Sequence, residues 1–300
     1  YPTLRGRGCT TPGCLNTCLE EWMVPVMTKP WISGAFVWTG FDYKGEPTPD
    51  AWPTVNAHYG AMFDMAGLAK DSFYYYKAWW TNEPVVHILP HWNWESSHAL
   101  SREDIKVWVY TNAAFIQLFL NGKWFGTVAV QEYSHASFDV PYEPGNLTAV
   151  GLSALNKVIA RETVLTSGPA AALEGNLLWG QDGVSSDLTN NIAIVSVRIV
   201  DAHGTPVPDA TNHITFSVSR GDAEIVGVGN GDPSCHEPDR ATSRSAFAGR
   251  AIALVQIPEL SPSSRGSEVV VTAASTGLHS VTVRIPLLRS LAAAGGTGGE

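Results

Sequence analysis

The period-two alternation between Ile105 and Leu120 limits the fold of this chain more than any other feature. Ile105, Val107 and Val109 alternate with Lys106, Trp108 and Tyr110, and Ile116, Leu118 and Leu120 alternate with Phe115, Gln117 and Phe119. Successive side chains of a strand point to opposite faces, so both runs read as strands. The second run ends in Asn121-Gly122, a pair that accepts the positive φ angles of a tight hairpin turn. Further short strands are expected around residues 124–130, 136–140, 146–152 and 158–165. Together they make a sandwich-sized unit that closes at Ser167-Gly168-Pro169.

A second β unit is expected from about 173 to 286. Val195, Val197 and Ile199 form one face, His203-Gly204 turns the chain, and Ile214–Val218 is another strand. The stretches 269–272 and 281–284 flank a turn at Thr276-Gly277. Short strands with Gly and Pro turns point to an immunoglobulin-like sandwich. The Gly- and Ala-rich end, residues 287–300, reads as a flexible tail.

Before Pro84 the pattern differs. Residues 1–13 read as loop, and Cys14 to about Met27 as a short helix limited by Pro25. Trp31–Trp38 has the unbroken apolar character of a strand covered on both faces, as in a parallel sheet wrapped by helices. A Gly- and Pro-rich stretch, 39–68, follows. Asp71 stands where a helix N-cap would, ahead of Phe73, Tyr76 and Trp80 at helical spacing. Strand, long loop and amphipathic helix make one β/α unit.

Composition narrows the partners. The chain has 300 residues, 44% of them apolar and 16% charged, with a formal net charge of −9. It lacks the clustered Lys and Arg that neutralise phosphates, which excludes a nucleic-acid partner. No apolar run approaches the roughly eighteen residues of a membrane helix. Ten of the eleven Trp lie before residue 140, so the two ends are expected to do different jobs. The chain opens on Tyr1 rather than Met, which implies a removed start or a piece of a longer protein. Cys9, Cys14 and Cys18 cluster while Cys235 stands apart, and ordinary free or packed thiols are the expectation over a zinc site or a disulfide.

The candidate site is "GAFVWTGFDYKGEPTP", residues 34–49. Loops after the strand ends of a (β/α)₈ barrel build its active site, and this loop carries Trp38, Asp42, Tyr43 and Glu46. An indole covers the apolar face of a pyranose, while carboxylates and a phenol bind its hydroxyls. The plainer alternative is that Trp38 and Tyr43 fill core and Asp42 caps a turn. Lys70-Asp71 suits a structural ion pair or a cap better than substrate contact, and His58 a hydrogen-bonded loop position. Trp92 and Trp94 of "HWNWE" look exposed enough to stack on sugar, with interdomain packing the favoured role. "GNGDPSCHEPD", residues 229–239, concentrates Asp232, Cys235, His236, Glu237 and Asp239, yet lacks calcium or zinc spacing and reads first as a rigid turn. "NLT" at 146–148 fits the glycosylation pattern and equally a strand start.

Several long motifs carry a resemblance. "PWISGAFVWTGFDYKGEPTP", "WPTVNAHYG", "GLAKDSFYYYKAWW" and "HILPHWNW" resemble the end of the catalytic barrel in glycoside hydrolase family 2, the β-galactosidase-like enzymes. "TNAAFIQLFLNGKWFG", "FDVPYEPGNLTAVG", "GVGNGDPSCHEPD" and "RSAFAGRAIALVQ" resemble the β domains that follow it. The resemblance runs from about residue 30 to 286.

It implies a mixed architecture: the last strand, loop and helix of a (β/α)₈ TIM barrel over residues 1–83, a β-sandwich over 84–170 and an immunoglobulin-like β-sandwich over 171–286. It also implies a retaining glycosidase acting on terminal β-linked sugars, β-galactosides first, with no cofactor or metal and a carbohydrate as partner. Two glutamates about 5 Å apart do that chemistry. Both are expected upstream of Tyr1, with "TLRGRG" at 3–8 a remnant just past the nucleophile, so no catalytic residue is assigned here. Asp42 and Glu46 sit on one loop and flank a sugar from opposite faces awkwardly, which disfavours them as the reacting pair, and Glu20 and Glu21 are weaker still. Trp38, Asp42, Tyr43 and Glu46 are the expected substrate-binding residues, Asp42 and Glu46 either touching hydroxyls or bracing the loop. The chain alone is expected to be inactive. Its sugar, oligomeric state and localisation, periplasmic or extracellular among the options, stay open. The competing class is a non-catalytic β-sandwich module that binds polysaccharide or a protein.

Overall fold

The structure is a computed structural model that describes residues 17–45, 56–57, 61–94, 104–181, 184, 191–258 and 268–287. They form two compact units. The first comprises the residues up to Ser167 with Asp232–Cys235, and the second Gly168–Gly231 with the residues from His236 on. No described helix is long and apolar enough to cross a membrane.

The first unit contains helix α1 (Thr17–Thr28), the two-residue strands β1 (Tyr43–Lys44) and β2 (Asn56–Ala57), and helix α2 (Asp71–Trp80). Strands β3 (Val86–Leu89), β4 (Ile105–Thr111), β5 (Phe115–Leu120), β6 (Lys123–Ala129), β7 (His135–Val140), β8 (Asn146–Leu152) and β9 (Val158–Leu165) follow. All pair antiparallel, in sheets ordered β3-β4-β7 and β6-β5-β8-β9. The β5–β6 hairpin turns at Asn121 (φ 51°) and Gly122 (φ 78°), with Leu120 opposite Lys123. That is the primed turn that Asn-Gly favours, because its twist matches the strands.

Strand β4 has two buried faces. Ile105, Val107 and Val109 enter the sandwich core with Ile116, Leu118, Phe138 and Leu147. Trp108 and Tyr110 enter a second, aromatic cluster with Met23 of α1, Tyr75 and Tyr76 of α2, and Leu89. The helices therefore cover the outer face of the three-stranded sheet, which explains why this face carries rings rather than polar residues. Glu20 of α1 accepts a hydrogen bond from Ser134 Oγ at 2.9 Å and pairs with His135 Nδ1. The Tyr75 hydroxyl donates to the Tyr133 carbonyl at 2.8 Å. Burial, reinforced by the nearby Glu20 charge, pushes that phenol up from its ordinary pKa.

The second unit is a sandwich of strands β10 (Ala170–Trp179), β11 (Ile192–Asp201), β12 (His213–Arg220), β13 (Glu224–Gly229), β14 (Ser243–Ser245), β15 (Arg250–Gln256), β16 (Glu268–Ala274) and β17 (Val281–Pro286). Its sheets run β10-β11-β15-β13 and β14-β12-β16-β17. The core is aliphatic, with Val195, Val197, Ile199, Ile214, Val255, Val271 and Ile285 around Phe216. At the end of β11, the Asp201 carboxylate accepts from the backbone N–H groups of Gly168, His203 and Thr205 at 2.7–2.9 Å. These bonds, that from Gly168 foremost, hold its carboxyl below the usual carboxylate range.

Four expectations change. Trp31–Trp38 forms no strand: the segment is irregular, and Trp31, Phe36 and Trp38 are exposed. A strand needs at least one hydrogen-bonded neighbour, and none pairs with this run among the described residues, where all strand pairs are antiparallel and no barrel sheet is evident. Lys70, not Asp71, is the N-cap of α2, and Asp71 lies in the first turn. The face α2 buries is Ser72, Tyr75, Tyr76 and Ala78, while Trp80 is half exposed. Helix α1 runs through Pro25 to Thr28, because the carbonyl that its ring deprives of a donor can turn to solvent on an exposed side.

Candidate functional site

The loop after Trp38 is built on a short scaffold rather than a sheet. Phe63 N–H donates to the Gly40 carbonyl and Asp42 N–H to the Phe63 carbonyl, both at 2.9 Å. The rings of Phe41, Phe63 and Phe73 follow one another with centroids 5.1 Å apart. β1 and β2 extend this scaffold with Tyr43 opposite Ala57. The turn after Phe63 is closed by Asp64, whose carboxylate accepts from Ala66 and Leu68 N–H at 2.8 and 2.9 Å. Lys70 N–H then returns to the Met62 carbonyl at 2.9 Å, and Ser72 Oγ to the Ala61 carbonyl at 2.8 Å.

On this scaffold the four predicted residues separate. Trp38, after which the peptide is cis, exposes 70% of its surface. Its indole N–H donates to the Tyr43 hydroxyl at 3.0 Å, and the rings meet edge to face with centroids 6.4 Å apart. Asp42 is the opposite case, 5% exposed with both carboxylate oxygens on Lys70 Nζ at 3.1 and 3.0 Å. Lys70 is itself buried. Two charges withdrawn from water tolerate burial only when paired and hydrogen-bonded, so this is a brace. Glu46 and His58 lie outside the described residues.

The next residue makes a second, partly buried ionic group. Asp71 Oδ1 lies 2.9 Å from His87 Nε2, and Glu162 Oε1 lies 3.3 Å from His87 Nδ1. The Glu162 carboxylate also accepts from Ile88 N–H, and the Tyr74 ring stacks on His87 at 3.7 Å. Burial opposes charge on His87, but the hydrogen bonds it donates to Asp71 and Glu162 outweigh it and raise its pKa to about 9. Burial likewise opposes ionisation of Asp71, and the His87 contact prevails and lowers its pKa. An imidazolium between two carboxylates thus fastens α2 to β3 and β9.

The other candidates resolve into structure. Trp92 is fully buried in the sandwich core, donating to the Glu143 carbonyl at 2.9 Å, and Trp94 packs at the edge of that core. Both belong to one unit's interior rather than to an exposed stacking surface. In the 229–239 stretch, the buried Arg244 donates to the carbonyls of Val228 and Glu237 at 3.0 Å and to Asp239 at 2.7 Å. Glu237 accepts from Ser245 N–H at 2.9 Å. Those acids tie the turn together. Among the described residues, no group of three or more His, Cys, Asp or Glu is arranged to hold a metal. Asn146 begins β8. Sequence reasoning missed the partner of Lys70. Its only signal was one lysine and one aspartate in apolar surroundings, 28 residues apart.

The segment around Asp42 thus combines an exposed indole–phenol pair with a buried ion pair, in a chain whose strands pair antiparallel among the described residues. Comparison with known proteins narrows this. Residues 183–284 match the family described as glycoside hydrolase family 2 C-terminal domain 5, and residues 102–160 match a domain of unknown function, DUF4982. The first match places residues 183–284 in glycoside hydrolase family 2, and solved structures similar to most of the chain carry the same family name. It is 33% identical over 268 residues to beta-galactosidase BoGH2A of Bacteroides ovatus, covering 89% of this chain and 30% of that protein. A beta-glycosidase structure from Bacteroides vulgatus superposes with TM-score 0.77 at 26% identity, covering 89% of this chain and 32% of that one. A structure of a beta-glucuronidase from glycoside hydrolase family 2 gives TM-score 0.71 at 26% identity, over 96% of this chain and 29% of that one. The chain therefore spans about a third of the length of these relatives.

Proposed function

We propose that this chain is part of a retaining β-glycosidase that hydrolyses terminal β-linked sugars, with β-galactosides as the substrate class. Residues 1–83 contribute the last β/α unit of its catalytic barrel, and 84–170 and 171–286 are its sandwich domains. In the second unit, one sheet holds strands one, two, six and four and the other holds three, seven and eight with the short fifth. That order supports an immunoglobulin-like reading. Trp38 and Tyr43 form an aromatic wall of the sugar site, Asp42 braces it, and Glu46 belongs to the same substrate-binding set. The two reacting glutamates lie in polypeptide outside these 300 residues.

The observation that carries this reading is the exposed Trp38–Tyr43 pair, with the buried Asp42–Lys70 ion pair next to Tyr43 in sequence. An exposed indole suits the apolar face of a pyranose. The similarity to BoGH2A favours galactosides, and that to a family 2 beta-glucuronidase makes β-glucuronides the runner-up. The test expresses the whole reading frame that contains this sequence and compares chromogenic β-galactoside with β-glucuronide. Faster turnover of the galactoside is expected, with Trp38→Ala reducing kcat/KM about a hundredfold. The 300-residue chain alone is expected to turn over neither. Failure of the whole protein on every β-glycoside, with the chain retaining polysaccharide in affinity electrophoresis, would point instead to a binding module.

A further inference from the structure

Lys70 and Asp71 are adjacent, yet they belong to different ionic groups. Lys70 reaches back to Asp42, the neighbour of Tyr43, and Asp71 joins His87 and Glu162 of the sandwich. Lys70 is the N-cap of α2 and Asp71 opens its first turn. A line of alternating charge thus runs from the rim, through the start of one helix, to strands β3 and β9. All of it lies within the first unit.

We propose that Lys70 is a positioning residue: its buried pair with Asp42 sets the orientation of the Trp38–Tyr43 rim, and the Asp71–His87–Glu162 clamp fixes the helix start from which Lys70 reaches. Asp42 is well placed to transmit this. Phe41 on one side is stacked on Phe63, and Tyr43 on the other accepts the Trp38 indole N–H. Without the ammonium, the buried carboxylate loses the opposite charge that offsets its burial, and protonation or a turn toward solvent is favoured. Turning it out rotates the backbone between Gly40 and Tyr43, and the indole loses its phenol acceptor. The sandwich would then act on the rim through charge placement, with no residue of its own touching a ligand. That the rim receives sugar rests on the function proposed above; the positioning itself does not.

The test is fluorine NMR on the full chain carrying fluorotryptophan, with the Trp38 resonance assigned by its loss in Trp38→Phe. Lys70→Met is expected to shift or broaden the Trp38 resonance while those of Trp92 and Trp108 stay in place. Lys70→Arg is expected to restore it. If Lys70→Met does not fold, the doubly neutral Asp42→Asn/Lys70→Met chain decides, because it leaves no unpaired buried charge. His87→Gln is expected to displace the same resonance by less. An unchanged Trp38 resonance in the folded Lys70 variant overturns the proposal, and an unchanged one in His87→Gln overturns the clamp's share. Titrating the whole protein, expressed from the reading frame that contains this sequence, with galactose separates the two readings: a Trp38 signal that answers to Lys70 but not to sugar removes the carbohydrate assignment and keeps the positioning.

Discussion

The two units solve the problem of cohesion differently. The second relies on a continuous aliphatic core around Phe216, and several of its ion pairs, such as Arg198–Glu174 and Arg284–Glu268, have partners open to water. The first has a smaller sandwich core, an aromatic cluster, and ionic groups withdrawn from water at Asp42–Lys70 and His87. Apolar burial stabilises without regard to direction, whereas a buried ion pair favours one geometry strongly over its neighbours. The contrast implies that the second unit is built to persist and the first to hold particular side chains in place.

That contrast can be broken most forcefully at the aliphatic core. Phe216→Ala is expected to cost about 4 kcal/mol, measured by denaturant unfolding followed with probes in the second unit. A loss below about 1 kcal/mol would mean that the core collapses around the gap. Next in size, Lys70→Met is expected to cost about 3 kcal/mol, and adding Asp42→Asn to recover most of it. If the double variant is as unstable as the single, the pair contributes net stability and the geometric role loses its support.

The pH response sharpens the comparison. His87 has its folded pKa raised to about 9 from an ordinary 6.5. Its stabilisation is therefore complete below about pH 6.5 and is lost as pH rises through about 9. Asp71, lowered from 3.8, contributes above that value and loses its contribution as pH falls through its folded pKa. Thermal unfolding of the first unit should weaken between pH 6.5 and 9, and His87→Gln should abolish that slope. A slope that survives the substitution assigns it to another group. The smallest effect is expected at the surface of the second unit, where Arg198→Ala should change stability by about 0.5 kcal/mol or less.

The strands were legible because alternation and turn chemistry act locally. Ile105–Leu120, Asn121-Gly122 and the segments near 136–140, 146–152 and 158–165 all fall where the pattern puts them. The Trp31–Trp38 segment was misread because an unbroken apolar run says only that something should cover it. The period-two rule also hid a fact about β4. Trp108 and Tyr110 stand at the positions expected to face water, and the helices that cover them come from before residue 84. At the site, the loop left Trp38 and Tyr43 open to a ligand-facing or a core-filling reading, and the bracing role of Asp42 depended on Lys70, a partner that no local pattern names.

The doubly covered strand β4 also bears on how this protein can be cut. Pro84 looks like a natural seam, yet the wall behind Trp108 and Tyr110 is made by Met23, Tyr75 and Tyr76 from the other side of it. A piece trimmed to residues 84–167 would leave those rings uncovered and would self-associate. Helix and sandwich have to be carried together in any engineered transplant.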